Sequence, residues 1–131
     1  MNVLVTGATG FLGWRTLEVL SRDPDVEQII ATGRILKPTH TIQHEKVTYI
    51  TGNLEDKKFV RSLFKNLDTV VNAAALSSPW GDKLLFESAN VQTQVNLIEA
   101  SIAHGIKKFV FISSPSLYFD FKDRFNVKEK D

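Results

Sequence analysis

Apolar and polar positions along the chain follow a pattern that predicts strands and helices in turn. Short apolar runs, several of them rich in β-branched residues, indicate strands, and amphipathic stretches between them indicate helices. This alternation implies a parallel sheet with right-handed crossovers, so we predict an α/β fold. The predicted strands are Asn2–Val5, Val26–Thr32, Val47–Thr51, Asp68–Asn72 and Lys108–Ile112.

Two of the predicted helices carry clear local signals. The first, Phe11–Arg22, is expected to end at Asp23 because the proline that follows cannot continue a helix. Asp56 is expected to cap the second, which is short. The apolar face of this short helix is formed by Phe59, Val60, Leu63 and Phe64.

The third predicted helix, Asp82–His104, is the longest, and Gly105 is its expected C-terminal cap. The following strand, Lys108–Ile112, contains a continuous apolar run and is expected to be buried on both faces. An apolar stripe at helical spacing predicts that one face of the helix packs on the sheet. Its members are Leu84, Val91, Val95, Ile98 and Ile102.

The composition narrows the function classes. A chain of 131 residues fits one domain, and its net charge of +1 argues against a nucleic-acid partner. The absence of cysteine excludes disulfides and thiolate chemistry. No signal segment or membrane-length apolar run is evident, so we expect a cytoplasmic protein with no membrane partner. We interpret His40 and His44 as solvated and expect no metal site, because no other metal ligand clusters with them.

The segment Thr6–Gly13, TGATGFLG, joins the first strand to the first helix. A helix N-terminus offers unpaired N–H groups and the positive end of its dipole, which suits a phosphate. Gly7 would allow the sharp turn, Gly10 the close approach of a pyrophosphate, and Gly13 tight helix packing. The spacing GxxGxxG departs from the GxGxxG fingerprint, and a glycine-rich connection without a ligand is the alternative. No Lys-Ser or Lys-Thr follows, which disfavours a nucleoside-triphosphate P-loop.

Glycine, alanine, serine, asparagine and arginine residues that could contact a ligand cluster at the carboxyl ends of all the predicted strands. In an open parallel sheet, ligands bind beyond these ends, at the topological switch point. Their convergence on one edge of the sheet is the strongest argument from the sequence for a binding site. The segments are Gly7–Gly13, Gly33-Arg34, Asn53-Leu54, Ala73–Ala75 and Ser113-Ser114.

Five segments, taken in their order along the chain, resemble motifs of the extended short-chain dehydrogenase/reductase family. Within it they are most similar to the 3β-hydroxysteroid dehydrogenase/isomerase and NAD(P)-dependent epimerase/dehydratase groups. The resemblance covers nearly the whole chain and implies a Rossmann-type, doubly wound sheet of strand order 3-2-1-4-5. The matching segments are TGATGFLG at Thr6–Gly13, GNLED at Gly52–Asp56, VVNAAALSSPWG at Val70–Gly81, ANV at Ala89–Val91 and FVFISSPSLY at Phe109–Tyr118.

The resemblance also implies roles for single residues. The implied NAD(P)-binding residues are Gly7, Thr9, Gly10, Phe11, Leu12 and Gly13 in the glycine-rich turn, Asn53 and Leu54 beside the adenine, and Ala73, Ala74 and Ala75 on the nicotinamide-ribose side. At Asn53 the family usually has aspartate. The implied catalytic-site residues are Ser113 or Ser114, which would orient the substrate oxygen, and Asn90, which would support the active site.

The end of the second strand bears on cofactor choice. A carboxylate there would hold the ribose 2′-hydroxyl of NAD, whereas an arginine accommodates the 2′-phosphate of NADP. This chain has Arg34 and no carboxylate at that point, so we predict NADP as the preferred cofactor over NAD. A solvated arginine is the alternative.

The family's catalytic Tyr-x-x-x-Lys motif is not clearly present. Tyr118 and Lys122 have the spacing, but we do not expect them to be the catalytic pair, because the segment lies close to the fifth strand and has no helical stripe. We therefore expect residues 1–131 to be one NAD(P)-binding domain, truncated after the fifth strand and lacking the family's substrate-binding part. Lys108–Ile112 would then be an edge strand, and we expect self-association.

Three functions are weighed. The first is the cofactor domain of an NAD(P)-dependent oxidoreductase or epimerase acting on a carbinol or carbonyl group of a small molecule, inactive as this chain alone. The second is a non-catalytic NADP-binding sensor or interaction module. The third, an α/β fragment with no ligand, leaves the clustering at the strand ends unexplained.

Overall fold

A five-stranded parallel sheet of order β3-β2-β1-β4-β5 forms the centre of the computed structural model, which describes residues 1–130. The strand order and the Rossmann-type doubly wound fold are confirmed. The strands are β1 Asn2–Thr6, β2 Gln28–Gly33, β3 Val47–Thr51, β4 Thr69–Asn72 and β5 Lys108–Phe111. Their ends differ from the predicted ones by at most two residues.

Helices connect the strands, and local signals define their ends. Asp56 caps α2 as predicted, its carboxylate accepting the N–H of Lys58 at 2.8 Å. Gly105 ends α4 with φ of +65°, the left-handed conformation expected of a helix-terminating glycine. The helices are α1 Phe11–Arg22, α2 Lys57–Leu63, α3 Lys83–Phe86, a π-helical segment Glu87–Gln92 and α4 Thr93–Ala103, with short 3-10 turns at Pro38–His40 and Pro115–Tyr118.

The core consists of two apolar layers, one on each side of the sheet. Alternate residues of β1 point to opposite faces, so Val3 and Val5 pack with Leu17 of α1, while Leu4 packs on the other side. That second layer includes Leu63 of α2 and Leu97 of α4. Because these side chains cover both faces of the sheet, a ligand has access to the ends of the strands rather than to a sheet face.

The predicted packing of the long helix is wrong in its orientation. Residues 83–103 form three successive helical segments instead of one α-helix. The predicted stripe, including Ile98 at 41% and Ile102 at 76% exposure, faces away from the sheet. The opposite face is buried because Leu97 and Ala100 fill the core while its polar side chains are hydrogen-bonded. These buried polar residues are Thr93, Asn96 and Ser101.

Strand β5 lies at the edge of the sheet, as predicted. The prediction that it is buried on both faces is wrong. Val110 and Phe111, which point to opposite faces of the sheet, are exposed at 37% and 54%. The edge strand β5 therefore exposes apolar side chains.

Candidate functional site

A cavity of about 230 Å³ lies at the carboxyl ends of β1 to β4. The segments after these strands converge on it as predicted, whereas the segment after β5 does not reach it. Nine of the predicted cofactor-binding residues line it: Gly7, Thr9, Gly10, Arg34, Asn53, Leu54, Ala73, Ala74 and Ala75. The lining also includes five residues that were not predicted to bind the cofactor: Lys37, Glu55, Leu76, Ala89 and Thr93.

The glycine-rich turn has no room for side chains at two of its positions. Gly7 has φ of +62°, and a Cβ there would lie 2.6 Å from the carbonyl oxygen of Ala73. At Gly13 a Cβ would overlap the carbonyl group of Gly7 and lie 2.9 Å from the Cα of Ala8. The turn is thus closely packed between α1 and the end of β4. Its backbone forms part of the cavity wall.

Helix α1 begins beside the cavity with uncapped backbone donors. Its N-cap is Gly10, and no side-chain cap bonds the first turn within the part of the chain that the structure describes. The N–H of Gly10 itself donates to Gly7 at 2.9 Å, and Trp14 donates to Gly10 at 2.9 Å. The remaining first-turn N–H groups and the helix dipole make this end suitable for a phosphate.

Buried polar side chains fix the segment that follows β4. The hydroxyl of Thr6 donates to the amide oxygen of Asn72, whose NH₂ group donates to Gln94. The N–H of Ala74 donates to that same Asn72 oxygen at 3.2 Å. Because these contacts join β1, β4 and α4, the alanines after β4 hold a defined position along the cavity.

Asn90 holds the far end of this segment. Its amide oxygen accepts the N–H of Leu76 at 2.7 Å, and its NH₂ group donates to the Leu76 carbonyl at 3.1 Å. The side chain thus binds the backbone of the cavity wall and does not itself line the cavity. Its predicted catalytic-site role stays a prediction.

Asn96 of α4 holds the segment after β3. It is 2% exposed, and its NH₂ group donates to the carbonyl oxygens of Leu54, at 3.0 Å, and Glu55, at 2.9 Å. Its amide oxygen accepts from Gln92 at 2.9 Å. Sequence reasoning missed Asn96, because the apolar stripe predicted to pack on the sheet lies on the opposite face of the helix.

Two cations and one carboxylate are the charged groups that line the cavity. The side chains of Arg34 and Lys37 make no ion pair or hydrogen bond within residues 1–130. The carboxylate is Glu55, which follows β3. The β2 side of the cavity therefore carries unneutralised positive charge.

The interpretation of His40 and His44 as solvated is wrong. His40 is half-buried; its ring stacks on Trp14 at 5.3 Å between centroids, and its Nδ1 lies 3.2 Å from the Thr9 carbonyl oxygen. His44 is half-buried too, and its Nδ1 accepts the N–H of Lys46 at 3.2 Å. Among the described residues, no group of three metal-ligating side chains is present.

The other predicted site residues lie outside the cavity. Phe11 and Leu12 are exposed on the first turn of α1, and Gly13 is buried behind it. Ser113 and Ser114 are exposed after β5, where Ser114 caps the following 3-10 turn by accepting the N–H of Ser116 at 3.2 Å. The contacts proposed for these residues are untested by this geometry.

Tyr118 and Lys122 do not share a helical face. The 3-10 turn ends at Tyr118, and Phe121 between the two residues has φ of +61°, which no helix permits. Both residues lie beside a separate shallow cavity formed by the C-terminal segment.

Comparison with known proteins supplies the family. The NAD dependent epimerase/dehydratase family model matches residues 3–131. The chain belongs to this family.

No helix in residues 1–130 has the length and apolar character needed to cross a membrane.

Relatives match along most of this chain but extend well beyond it. It is 33% identical to the protein YbjS of Escherichia coli, covering 98% of this chain and 38% of YbjS. It is 30% identical to a 2-alkyl-3-oxoalkanoate reductase of Shewanella oneidensis, covering 98% and 32%. A mutant uronate dehydrogenase from Agrobacterium tumefaciens complexed with NAD is 26% identical, with a TM-score of 0.73 over 86% of this chain and 40% of that one. The chain thus spans about a third of the length of the curated relatives named here.

Proposed function

We propose that this chain is the NAD(P)-binding domain of an oxidoreductase acting at a carbinol or carbonyl carbon of a small molecule. The observation that carries the proposal is the cavity that brings the glycine-rich turn, the start of α1 and three further strand ends together. Membership of an NAD dependent family supports it, as do a relative named as a reductase and a similar dehydrogenase solved with NAD.

Each part of the cavity suits one part of a dinucleotide. Gly7, Gly10 and the first turn of α1 would receive the pyrophosphate, since backbone donors lie open there. Asn53 and Leu54 would flank the adenine. Ala73–Ala75 would lie along the nicotinamide ribose, where small side chains permit close approach. The bound cofactor would supply hydride transfer to or from the substrate carbon.

Ser113 or Ser114 would hold the substrate oxygen next to the nicotinamide. Two observations support this placement: Ile112 donates its N–H to the Asn72 carbonyl at 3.1 Å, and Asn72 ends β4 immediately before the alanines of the cavity wall. Asn90 would support this side of the site by holding Leu76.

We expect NADP to stabilise the chain more than NAD does, because the Arg34 side chain has no partner among residues 1–130 and can bind a 2′-phosphate. Thermal unfolding with each dinucleotide measures this. A ligand at about 100 times its dissociation constant adds roughly 2.7 kcal/mol to the apparent free energy of unfolding. Arg34→Ala should reduce the NADP shift and leave the NAD shift unchanged. A larger shift with NAD contradicts the preference, and no shift with either contradicts the binding site.

A non-catalytic NADP-binding sensor is the second candidate. It is favoured by the geometry of Tyr118 and Lys122, which do not share a helical face and lie away from the cavity. A tyrosine that exchanges the substrate proton and a lysine beside it are what carbonyl reduction in this family would require. Because this chain alone is expected to be inactive under both candidates, they are separated in a protein that carries this domain together with a Tyr-x-x-x-Lys helix and a substrate-binding part. An oxidoreductase of that kind oxidises NADPH with a carbonyl compound from a test panel, whereas a sensor binds NADPH without consuming it.

We expect this chain to self-associate at high concentration through β5. Its unpaired edge and the exposed side chains of Val110 and Phe111 form a surface to which another strand can pair. Val110→Lys should return the chain to the monomer in multi-angle light scattering, because a lysine on an edge strand opposes pairing. Val19→Lys, on the exposed side of α1, is the matched control and should change nothing. A wild-type monomer at high concentration contradicts the expectation.

A further inference from the structure

The connection from β2 to β3 is fastened to the glycine-rich turn. This connection, residues 34–46, is called the β2–β3 strap below. Gly33, just before it, lies so close to Thr9 that a Cβ would be 2.7 Å from the Thr9 hydroxyl oxygen. Further along, the N–H of Ile42 donates to the Tyr49 hydroxyl at 2.9 Å, which anchors the strap to β3.

His40 supplies the contact that spans from the strap to the turn. The Thr9 carbonyl can only accept, so the proton must lie on Nδ1 of His40, which donates across 3.2 Å. The imidazole also stacks on the Trp14 indole, with an interplanar angle of 21°. A hydrogen bond and a ring contact together define both the position and the orientation of His40.

This anchor acts directly on Lys37. The backbone N–H of His40 donates to the Lys37 carbonyl at 2.8 Å, closing the 3-10 turn Pro38–His40. Holding His40 therefore holds the backbone of Lys37 at the cavity, which Lys37 lines together with Arg34. Without this anchor, Lys37 would lie in an exposed connection that is free to move away from the cavity.

We propose that Lys37 and Arg34 form a two-cation subsite for a phosphomonoester, and that His40 is the positioning residue that keeps Lys37 in it. The inference rests on the proposed function, in which that phosphomonoester is the 2′-phosphate of NADP. Arg34 presents a planar fork of donors and Lys37 a compact charge, so the two can bind different oxygens of one phosphate. Glu55, which also lines the cavity, opposes anions and makes the second cation more important.

Equilibrium binding of NADP, NAD and adenosine 2′,5′-bisphosphate to the full chain tests this, with tryptophan fluorescence or calorimetry as the readout. Lys37→Ala should weaken NADP and the bisphosphate by about tenfold, the value of one charge-assisted hydrogen bond, without changing NAD. His40→Ala should weaken the same two ligands and again spare NAD. Lys37→Arg should retain most of the NADP affinity because it keeps the cation.

The double variant His40→Ala/Lys37→Ala distinguishes positioning from a general structural role. If His40 acts through Lys37, the double variant binds NADP no more weakly than Lys37→Ala alone. His44→Ala is the matched control: its imidazole lies in the same strap but contacts Lys46 rather than the glycine-rich turn, so NADP affinity should not change. His40→Phe, which keeps an aromatic ring for Trp14 but removes the donor, guards against misfolding of the alanine variant.

The outcomes separate the two levels of the proposal. A wild-type chain that binds neither dinucleotide, or prefers NAD, overturns the proposed NADP site and this inference together. If the wild type prefers NADP but His40→Ala weakens NADP and NAD equally, or weakens neither, the proposed function stands and the positioning role is overturned. Additive losses in the double variant overturn it as well. A bisphosphate that binds wild type and Lys37→Ala equally overturns the two-cation subsite.

Discussion

Replacing Gly7 by alanine is expected to destabilise the chain by about 3 kcal/mol and to abolish dinucleotide binding. An alanine in the left-handed conformation at φ of +62° costs about 1–2 kcal/mol. Its Cβ would also lie 2.6 Å from the Ala73 carbonyl oxygen and 2.8 Å from the Ala74 Cα, and displacing packed backbone costs a further 1–3 kcal/mol, roughly. The displaced segment is a wall of the cavity, so stability and binding should fall together. Chemical denaturation and calorimetric titration measure the two effects.

Gly105→Ala is the matched control for this prediction. Gly105 has nearly the same dihedral, φ of +65°, but a Cβ there meets no atom within 4 Å. It should cost only the conformational energy, about 1–2 kcal/mol, and leave dinucleotide binding intact. Equal losses of stability in the two variants would show that the contact between Gly7 and Ala73 adds nothing to the conformational cost.

Local signals explain why so much of the fold could be predicted from the sequence. Asp56 offers a carboxylate to the first turn of α2, and Gly105 adopts a conformation that other residues resist. The glycine-rich turn between β1 and α1 is likewise a short segment whose shape follows from its own residues. Such features depend only on neighbouring residues, and the alternation of strands and helices predicts a parallel sheet with right-handed crossovers. The strand order 3-2-1-4-5 comes from the family resemblance.

The orientation of α4 could not be predicted in the same way. Ile98 and Ile102 have the helical spacing of a buried face, and the sequence gives no reason to bury Asn96 and Ser101 instead. The burial of Asn96 depends on acceptors supplied elsewhere, the carbonyl groups after β3, whereas Ser101 donates to the Leu97 carbonyl one turn earlier in α4, at 2.7 Å. A buried polar group is tolerated only where such partners exist, and long-range partners leave no trace in hydrophobic periodicity.

The same limit applies to the basic side of the cavity. Arg34 was predicted because it directly follows a strand, whereas Lys37 lies in a connection with no periodicity. Its place at the cavity depends on His40 and Thr9, which are 31 residues apart along the chain. Composition makes such a histidine look solvated, and a long-range contact with a backbone carbonyl overrides that expectation.

Asn96→Asp is expected to cost about 3–5 kcal/mol at neutral pH, because it places an unpaired carboxylate in the buried face of α4. The new side chain has the same shape but donates nothing to Leu54 or Glu55, and it faces their two carbonyl oxygens. Since this segment lines the cavity, dinucleotide affinity should fall as well. The free energy of unfolding from urea titrations measures the first effect.

The pH dependence of this loss identifies its cause. Burial and the facing carbonyls raise the pKa of the introduced carboxyl above its unfolded value of about 3.9. The folded state then binds more protons than the unfolded state above that value, so the variant loses stability as the pH rises. The difference in the free energy of unfolding between variant and wild type should therefore shrink as the pH is lowered from 7 towards 4, roughly the unfolded pKa.

Gln92→Glu, the same amide-to-carboxylate change at an exposed position of this network, should cost less than about 1 kcal/mol and show little pH dependence. A loss at Asn96→Asp that is small, or independent of pH, would mean that water reaches this position and that Asn96 does not hold the segment after β3.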